Sequence, residues 1–224
     1  MLDKQTAVKN LDTVITDIEE ARLRVNGHHI VKLIAISKYS EAEEIRTLYE
    51  AGQRAFGENK VQDLRDKSAL LDDLPLEWHF VGTLQKNKIN NLIDLKPTLM
   101  HSLDSMDLAY ELDKKLKAKD RTMNCLLQIN SAYEETKSGV DPKEAKELFE
   151  KITKECTNIK LKGVMSIGAH SEDCDNIKES FNTTKEIFDS CENATICSMG
   201  MSSDFKLAIE LGSNMIRVGS KLFK

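Results

Sequence analysis

Lys38 is the residue with the clearest capacity for covalent chemistry. It stands just after the apolar run Leu33-Ile34-Ala35-Ile36. A short run rich in Ile and Leu reads as a strand buried on both faces. An ammonium where such a strand stops is unusual, because burial disfavours its charged form. A lysine held neutral is a nucleophile that forms a Schiff base with an aldehyde. Taken alone, the stretch favours a plainer reading, a lysine that emerges into solvent. A second group lies near the other end of the chain. Ser198-Met199-Gly200-Met201-Ser202-Ser203-Asp204 is a small-residue turn that leads into a helix. Its hydroxyls and the free N–H groups of the helix start suit a phosphate. Arg217, Gly219 and Ser220 add a cation, a close backbone approach and another hydroxyl. The structural alternative is an N-cap at Ser202 or Ser203 and a tight turn at Gly219.

These residues matter together only if the fold brings them together. Residues 3–25 carry apolar positions at helical spacing, with Gly27 as a stop. Strands are expected at 31–37, 54–56, 77–81, 98–101, 123–130, 161–167, 194–198 and 215–218. Helices are expected between them, one capped by Ser40, one opened by Ser105 and one starting near Pro142. Eight short apolar strands alternating with helices mean a parallel α/β arrangement, and in this length a single (β/α)8 TIM barrel spanning 1–224. An extra helix precedes the first strand and almost nothing follows the last, so the N-terminal helix is expected to cover part of the place of a final helix. No Gly-x-Gly-x-x-Gly follows the first strand, which argues against an open dinucleotide-binding sheet.

Barrel active sites lie at the C-terminal strand ends, and the loops after strands seven and eight frequently hold phosphate. On that rule Lys38, Glu58, Asn59, Gly82, His101, Ser102, Asn130, Ser166, Ser198, Ser202, Arg217, Gly219 and Ser220 share one rim. His79 lies within a strand and reads as a satisfied core histidine. Tyr39 should point away from Lys38 by strand alternation. Lys137 sits in a polar loop that could reach the rim.

Composition narrows the function classes. The chain has 224 residues, 40% of them hydrophobic and 31% charged, with a formal net charge of -5. That balance argues against a nucleic-acid partner. No apolar run approaches a membrane span of about 20 residues, and residues 1–20 lack a signal-peptide core. The five cysteines, at 125, 156, 174, 191 and 197, form no Cys-x-x-Cys pair and no metal-ligand spacing. They read as buried hydrophobes or idle thiols in a reducing cytoplasm.

A Schiff-base lysine and a phosphate cradle on one barrel face suggest pyridoxal 5'-phosphate, with Arg217 facing the ring nitrogen or pairing with phosphate. The sequence resembles the YggS/PROSC-type pyridoxal phosphate homeostasis proteins. The resemblance rests on Ala35-Ile36-Ser37-Lys38, Phe56-Gly57-Glu58-Asn59-Lys60-Val61-Gln62 and Trp78-His79-Phe80-Val81-Gly82-Thr83-Leu84-Gln85-Lys86-Asn87-Lys88. His101-Ser102-Leu103-Asp104-Ser105, Lys137-Ser138-Gly139, Lys162-Gly163-Val164-Met165, the segment 198–204 and Arg217-Val218-Gly219-Ser220 also match. They run in the family order from about residue 30 to the end.

The resemblance implies a barrel of the alanine-racemase N-terminal type (fold type III, without its second β-domain). It implies a Schiff base at Lys38, Arg217 near the pyridine nitrogen, phosphate held by Ser202, Gly219 and Ser220, and a pocket lined by Asn59 and Ser198. Two departures are local. Lys224 replaces the usual small terminal residues, and Ser166-Ile167-Gly168-Ala169-His170 lacks a proline often found there.

The expected function is intracellular homeostasis of the cofactor, by buffering or by delivery to PLP-dependent apo-enzymes, without turnover of its own. A weak PLP-dependent amino-acid racemase or decarboxylase is the alternative. The racemase relatives use a second domain that this sequence is not expected to carry. An always-charged, donor-only arginine at the ring nitrogen makes a poorer electron sink than a carboxylate-partnered pyridinium. A cofactor-free aldolase built on Lys38 fits the phosphate loops less well.

Overall fold

The computed structural model describes residues 2–134, 138–169, 171 and 173–224. Parallel strands close into a barrel, each beside the next in sequence and β8 beside β1. They are β1 (Lys32–Ile36), β2 (Ala55–Glu58), β3 (Glu77–Phe80), β4 (Leu99–Leu103), β5 (Met123–Ile129), β6 (Ile159–Ser166), β7 (Ile196–Ser198) and β8 (Met215–Val218). The helices are α1 (Lys4–Val25), α2 (Ala42–Ala51), α3 (Val61–Leu70), α4 (Ile89–Leu95), α5 (Met106–Ala118), α6 (Pro142–Glu155), α7 (Cys174–Ser190), α8 (Phe205–Glu210) and α9 (Ser220–Phe223). The expected α/β barrel with its extra N-terminal helix is therefore the fold observed.

Strand alternation sorts side chains between two environments. On β8, Met215 and Arg217 face the barrel interior, while Ile216 and Val218 pack outward under the helices. Ile34, Ala55, Leu99, Leu126, Met165 and Met215 form an apolar layer inside the barrel. Beside it the interior turns polar: His79, His101, Ser198 and Arg217 are all buried there.

α1 begins at Asp3, whose carboxylate accepts from the Thr6 N–H at 3.0 Å. Its stripe Ala7, Leu11, Val14, Ile18 and Ala21 is buried against the outside of the barrel. It packs between α2 and α8 and against α9. Leu48, Phe205, Ile209 and Leu222 complete that cluster. α1 thus covers the place a final outer helix would fill, as expected. The one-turn α9 was not anticipated, since four residues carry too little periodicity to read.

Two further local expectations are corrected. α2 is capped by Glu41, in a reciprocal box with Glu44, and not by Ser40. The Ser40 N–H instead closes a turn on the Ser37 carbonyl at 2.9 Å. The helix expected from Gln85 opens as a 3₁₀ turn, Lys86–Lys88, before α4 begins.

Candidate functional site

A cleft of about 880 Å³ opens at the C-terminal ends of the strands. Lys38, Asn59, Gly82, Asn130 and Ser202, which follow β1, β2, β3, β5 and β7, line it together with Arg217, Gly219 and Ser220 from the end of β8. The fold therefore brings together six of the seven residues singled out for cofactor binding. The seventh, Ser198, is fully buried beneath Arg217 and outside the cleft lining.

Lys38 sits in the turn that follows β1 and is exposed. Among the described residues its amine has no hydrogen-bond or ion-pair partner. The Tyr39 ring lies beside it, with its centroid 5.0 Å from Nζ. This corrects the expectation that Tyr39 points away. Alternation stops with β1 at Ile36, so two consecutive turn residues can face the same space.

The turn itself is pinned from below. The Ser37 N–H donates to the Gly57 carbonyl at 3.0 Å and the Ser37 hydroxyl donates to Glu58 at 2.6 Å. Lys67, reaching up from α3, donates to the Ser37 carbonyl at 2.8 Å and to Glu58 at 2.7 Å. Glu58 is completely buried, and the Lys67 side chain is 13% exposed. Lys67 is thus both the counter-ion of a buried carboxylate and a clamp on the residue before Lys38. Sequence reasoning flagged Glu58 as a strand-end residue but missed Lys67. The available signal was its spacing: nine residues on, in the helix that follows the same strand.

Asn59 lies directly above. Its carbonyl approaches so closely that a Cβ on Gly82 would come within 1.8 Å of it, so only glycine fits there. The Ser102 hydroxyl donates to the Gly82 carbonyl at 2.6 Å and holds that loop.

The loops after β7 and β8 meet. Gly200 has φ +96°, and a side chain there would strike Ala208 and Phe205. The Met201 N–H donates to Asp204 at 2.6 Å, and Asp204 is the N-cap of α8. Neither Ser202 nor Ser203 is that cap. The Ser202 hydroxyl oxygen accepts instead from the Gly219 N–H at 3.1 Å, which joins the two loops. That contact fixes the oxygen and leaves its O–H to donate to an anion in the cleft. Gly219 presses on β1, where a Cβ would lie 3.2 Å from the Ile36 carbonyl oxygen.

Arg217 is 5% exposed and held on one side by protein acceptors. Nη1 donates to the Ser198 carbonyl at 3.0 Å and to its hydroxyl at 2.7 Å, and Nη2 donates to the Ser166 carbonyl at 2.7 Å. Burial lowers its pKa to about 10, so it keeps its charge at neutral pH. His79 is buried as expected; His101, expected on the rim, is also fully buried and outside the cleft lining, with His79 Nδ1 2.9 Å from His101 Nε2. His101 lies within β4 rather than after it. Lys137 and His170 fall outside the described residues. All five cysteines are free and only Cys174 is exposed. Burial pushes the Cys197 thiol up to about 12, which makes it inert. Among the described residues no cluster of His, Cys, Asp or Glu could hold a metal, and no helix is long and apolar enough to cross a membrane.

An exposed amine, a hydroxyl-lined corner between two loops and a buried guanidinium therefore share one cleft. They suit a ligand that carries an aldehyde, a phosphate and a ring acceptor. Comparison with known proteins identifies the family of the chain. Residues 10–224 match the family model described as the alanine racemase N-terminal domain. A pyridoxal phosphate homeostasis protein of Helicobacter pylori is 54% identical over 216 residues, covering 96% of this chain and 97% of its own. The protein of that name from Aquifex aeolicus is 39% identical, covering 97% of each. The structure of PipY from Synechococcus elongatus with PLP bound superposes with a TM-score of 0.83 at 31% identity, covering 97% of this chain and all of that one. An alanine racemase of Clostridium difficile shares the fold at a TM-score of 0.76 and 17% identity, with 56% of that chain covered.

Proposed function

The chain belongs to the family of the alanine racemase N-terminal domain, among its YggS/PROSC-type pyridoxal phosphate homeostasis members, and from that premise we propose that it binds and manages pyridoxal 5'-phosphate. The observation that carries this reading is the Lys38 amine, without a hydrogen-bond or ion-pair partner among the described residues, in one cleft with the Ser202–Gly219 corner and Arg217.

In this reading Lys38 anchors the cofactor's aldehyde as a Schiff base. The Ser202 hydroxyl and Ser220 bind its phosphate, and Gly219 provides the close approach. Asn59 bounds one side of the pocket. Arg217 holds the ring nitrogen as an acceptor, and Ser198 orients Arg217 without touching the ligand. Bound pyridoxal phosphate supplies an electron sink for amino-acid chemistry. A donor-only, charged Arg217 does not protonate the ring and so leaves that sink weak.

The proposed role is therefore to hold and release the cofactor, as a single barrel domain in the cytoplasm, with PLP-dependent apo-enzymes as recipients. Two readouts test it. The loaded protein should be yellow and should pass its cofactor to an apo-enzyme. Steady racemisation or decarboxylation of amino acids at about 1 per second or faster would instead establish an enzyme.

A further inference from the structure

The barrel interior holds a continuous set of polar contacts that the cleft alone does not require. The Arg217 guanidinium meets the Ser198 hydroxyl at 2.7 Å. That hydroxyl lies 3.4 Å from His101 Nδ1, and His101 Nε2 lies 2.9 Å from His79 Nδ1. His79 Nε2 lies 3.1 Å from a carboxylate oxygen of Glu77. Glu77 opens β3 and faces a separate cavity of about 510 Å³ at the N-terminal ends of the strands, opposite the cleft.

We propose that these contacts form one directional hydrogen-bond chain along the barrel axis, from Arg217 through Ser198, His101 and His79 to Glu77, and that Glu77 is a positioning residue for Arg217 at the far side of the barrel.

The direction follows from donor chemistry. An ionised carboxylate only accepts, so His79 must donate from Nε2. A neutral imidazole has one N–H, which leaves His79 Nδ1 as an acceptor. His101 must then donate from Nε2 and accept at Nδ1. The Ser198 hydroxyl is left to donate to His101 while its oxygen accepts from Arg217. Each donor along the path then meets one acceptor, as a buried polar network requires. At its other end the chain fixes the guanidinium. Three of its five N–H donors go to Ser198 and Ser166, so two remain for the cleft.

The charges along the path agree with this assignment. The hydrogen bond from His79, with Lys32 beside it, holds the Glu77 carboxyl at about 2 against desolvation. Burial lowers His79 against the pull of Glu77. Burial, then His79 and Arg217, lower His101 further. The other charged groups nearby are Lys32 on β1 and Lys162 on β6, which both line the far cavity, and Asp204, whose charge acts on Arg217 from the cleft side.

The chain stands on geometry alone, whereas its effect on a bound cofactor rests on the functional reading above. The test separates the two. Long-range nitrogen–proton NMR of the full-length, cofactor-free protein, with histidine nitrogens labelled, should show His79 and His101 both neutral and both protonated at Nε2. An Nδ1–H tautomer or an imidazolium at either residue overturns the chain. Glu77→Leu removes the terminal acceptor and should reverse both tautomers. Glu77→Gln keeps an acceptor oxygen and should preserve them, as should Lys32→Met, which removes only the ion pair. Unchanged tautomers in Glu77→Leu overturn the role of Glu77. With pyridoxal phosphate added, Glu77→Leu should shift the visible band relative to Glu77→Gln. An unmoved band on a loaded protein overturns the coupling. Failure of the unmodified protein to load sinks the functional reading, while the tautomers still decide the chain.

Discussion

The two buried histidines give the fold an acid-sensitive interior whose size can be calculated. His101 is fully buried and its pKa lies well below the ordinary 6.5, chiefly through desolvation. His79 is also lowered by burial, though its bond to Glu77 opposes the shift. In the unfolded chain both take a proton near the ordinary value. A depressed folded pKa means that the unfolded state binds more protons below about pH 6.5, so stability is complete above that pH and falls as pH drops. For a histidine that stays neutral when folded, linkage gives a loss of about 1.4 kcal/mol between pH 7.5 and 5.5. His101 should contribute close to that amount and His79 a fraction of it, so the pair should remove between about 1.4 and 2.7 kcal/mol.

Carboxylates held below their usual values, such as Asp17 and Glu77, lose their contribution only below about pH 4.5 and do not intrude. Asp104, half-buried and raised, acts with the opposite sign at the acid edge. Urea unfolding from pH 7.5 to 5.5, followed by fluorescence of Trp78, measures the slope. His101→Leu should lower stability at pH 7.5 by about 1–3 kcal/mol, because it leaves the Ser198 O–H and His79 Nδ1 unsatisfied in the buried interior. It should also flatten the pH dependence. A flat profile in the unmodified protein, or an unchanged slope in the variant, would refute the reasoning.

Two further outcomes follow from the site. Lys67→Met strands the buried Glu58 carboxylate and should cost about 3–5 kcal/mol by urea unfolding, with much of the loss recovered in the double variant with Glu58→Gln; a cost near zero would contradict the counter-ion role. Ser202→Ala removes the acceptor of the Gly219 N–H, worth about 1 kcal/mol, and should weaken retention of pyridoxal phosphate about five-fold in equilibrium dialysis; unchanged retention would remove Ser202 from the cradle.

The barrel was legible because its signals are local and repeated. Each strand is a short apolar run followed by a helix with a readable start, such as Ser105 for α5 or Pro142 for α6. Most rim residues are legible because the strand-end rule turns sequence position into place, whereas Glu58, His101, Ser102, Ser166 and Ser198, assigned by the same rule, are buried outside the cleft lining. What stayed hidden depends on contacts between distant segments. Ser40 and Glu41 are both acceptable caps, and only the turn onto Ser37 decides between them. Tyr39 was misjudged because a strand's last residue cannot be fixed from an apolar run. Ser198 passed for a pocket residue, since its partnership with Arg217 appears only when β7 and β8 pair. The link from His79 to His101 crosses neighbouring strands 22 positions apart and leaves no trace in periodicity.

The central claim is that Lys38 is the anchor of pyridoxal phosphate. Its most direct test is to load the protein, reduce it with borohydride and map the modified peptide by mass spectrometry. The account predicts a pyridoxyl group on Lys38, and no covalent adduct or yellow colour in Lys38→Ala. A stable adduct on another lysine, or an undiminished adduct in Lys38→Ala, would contradict it.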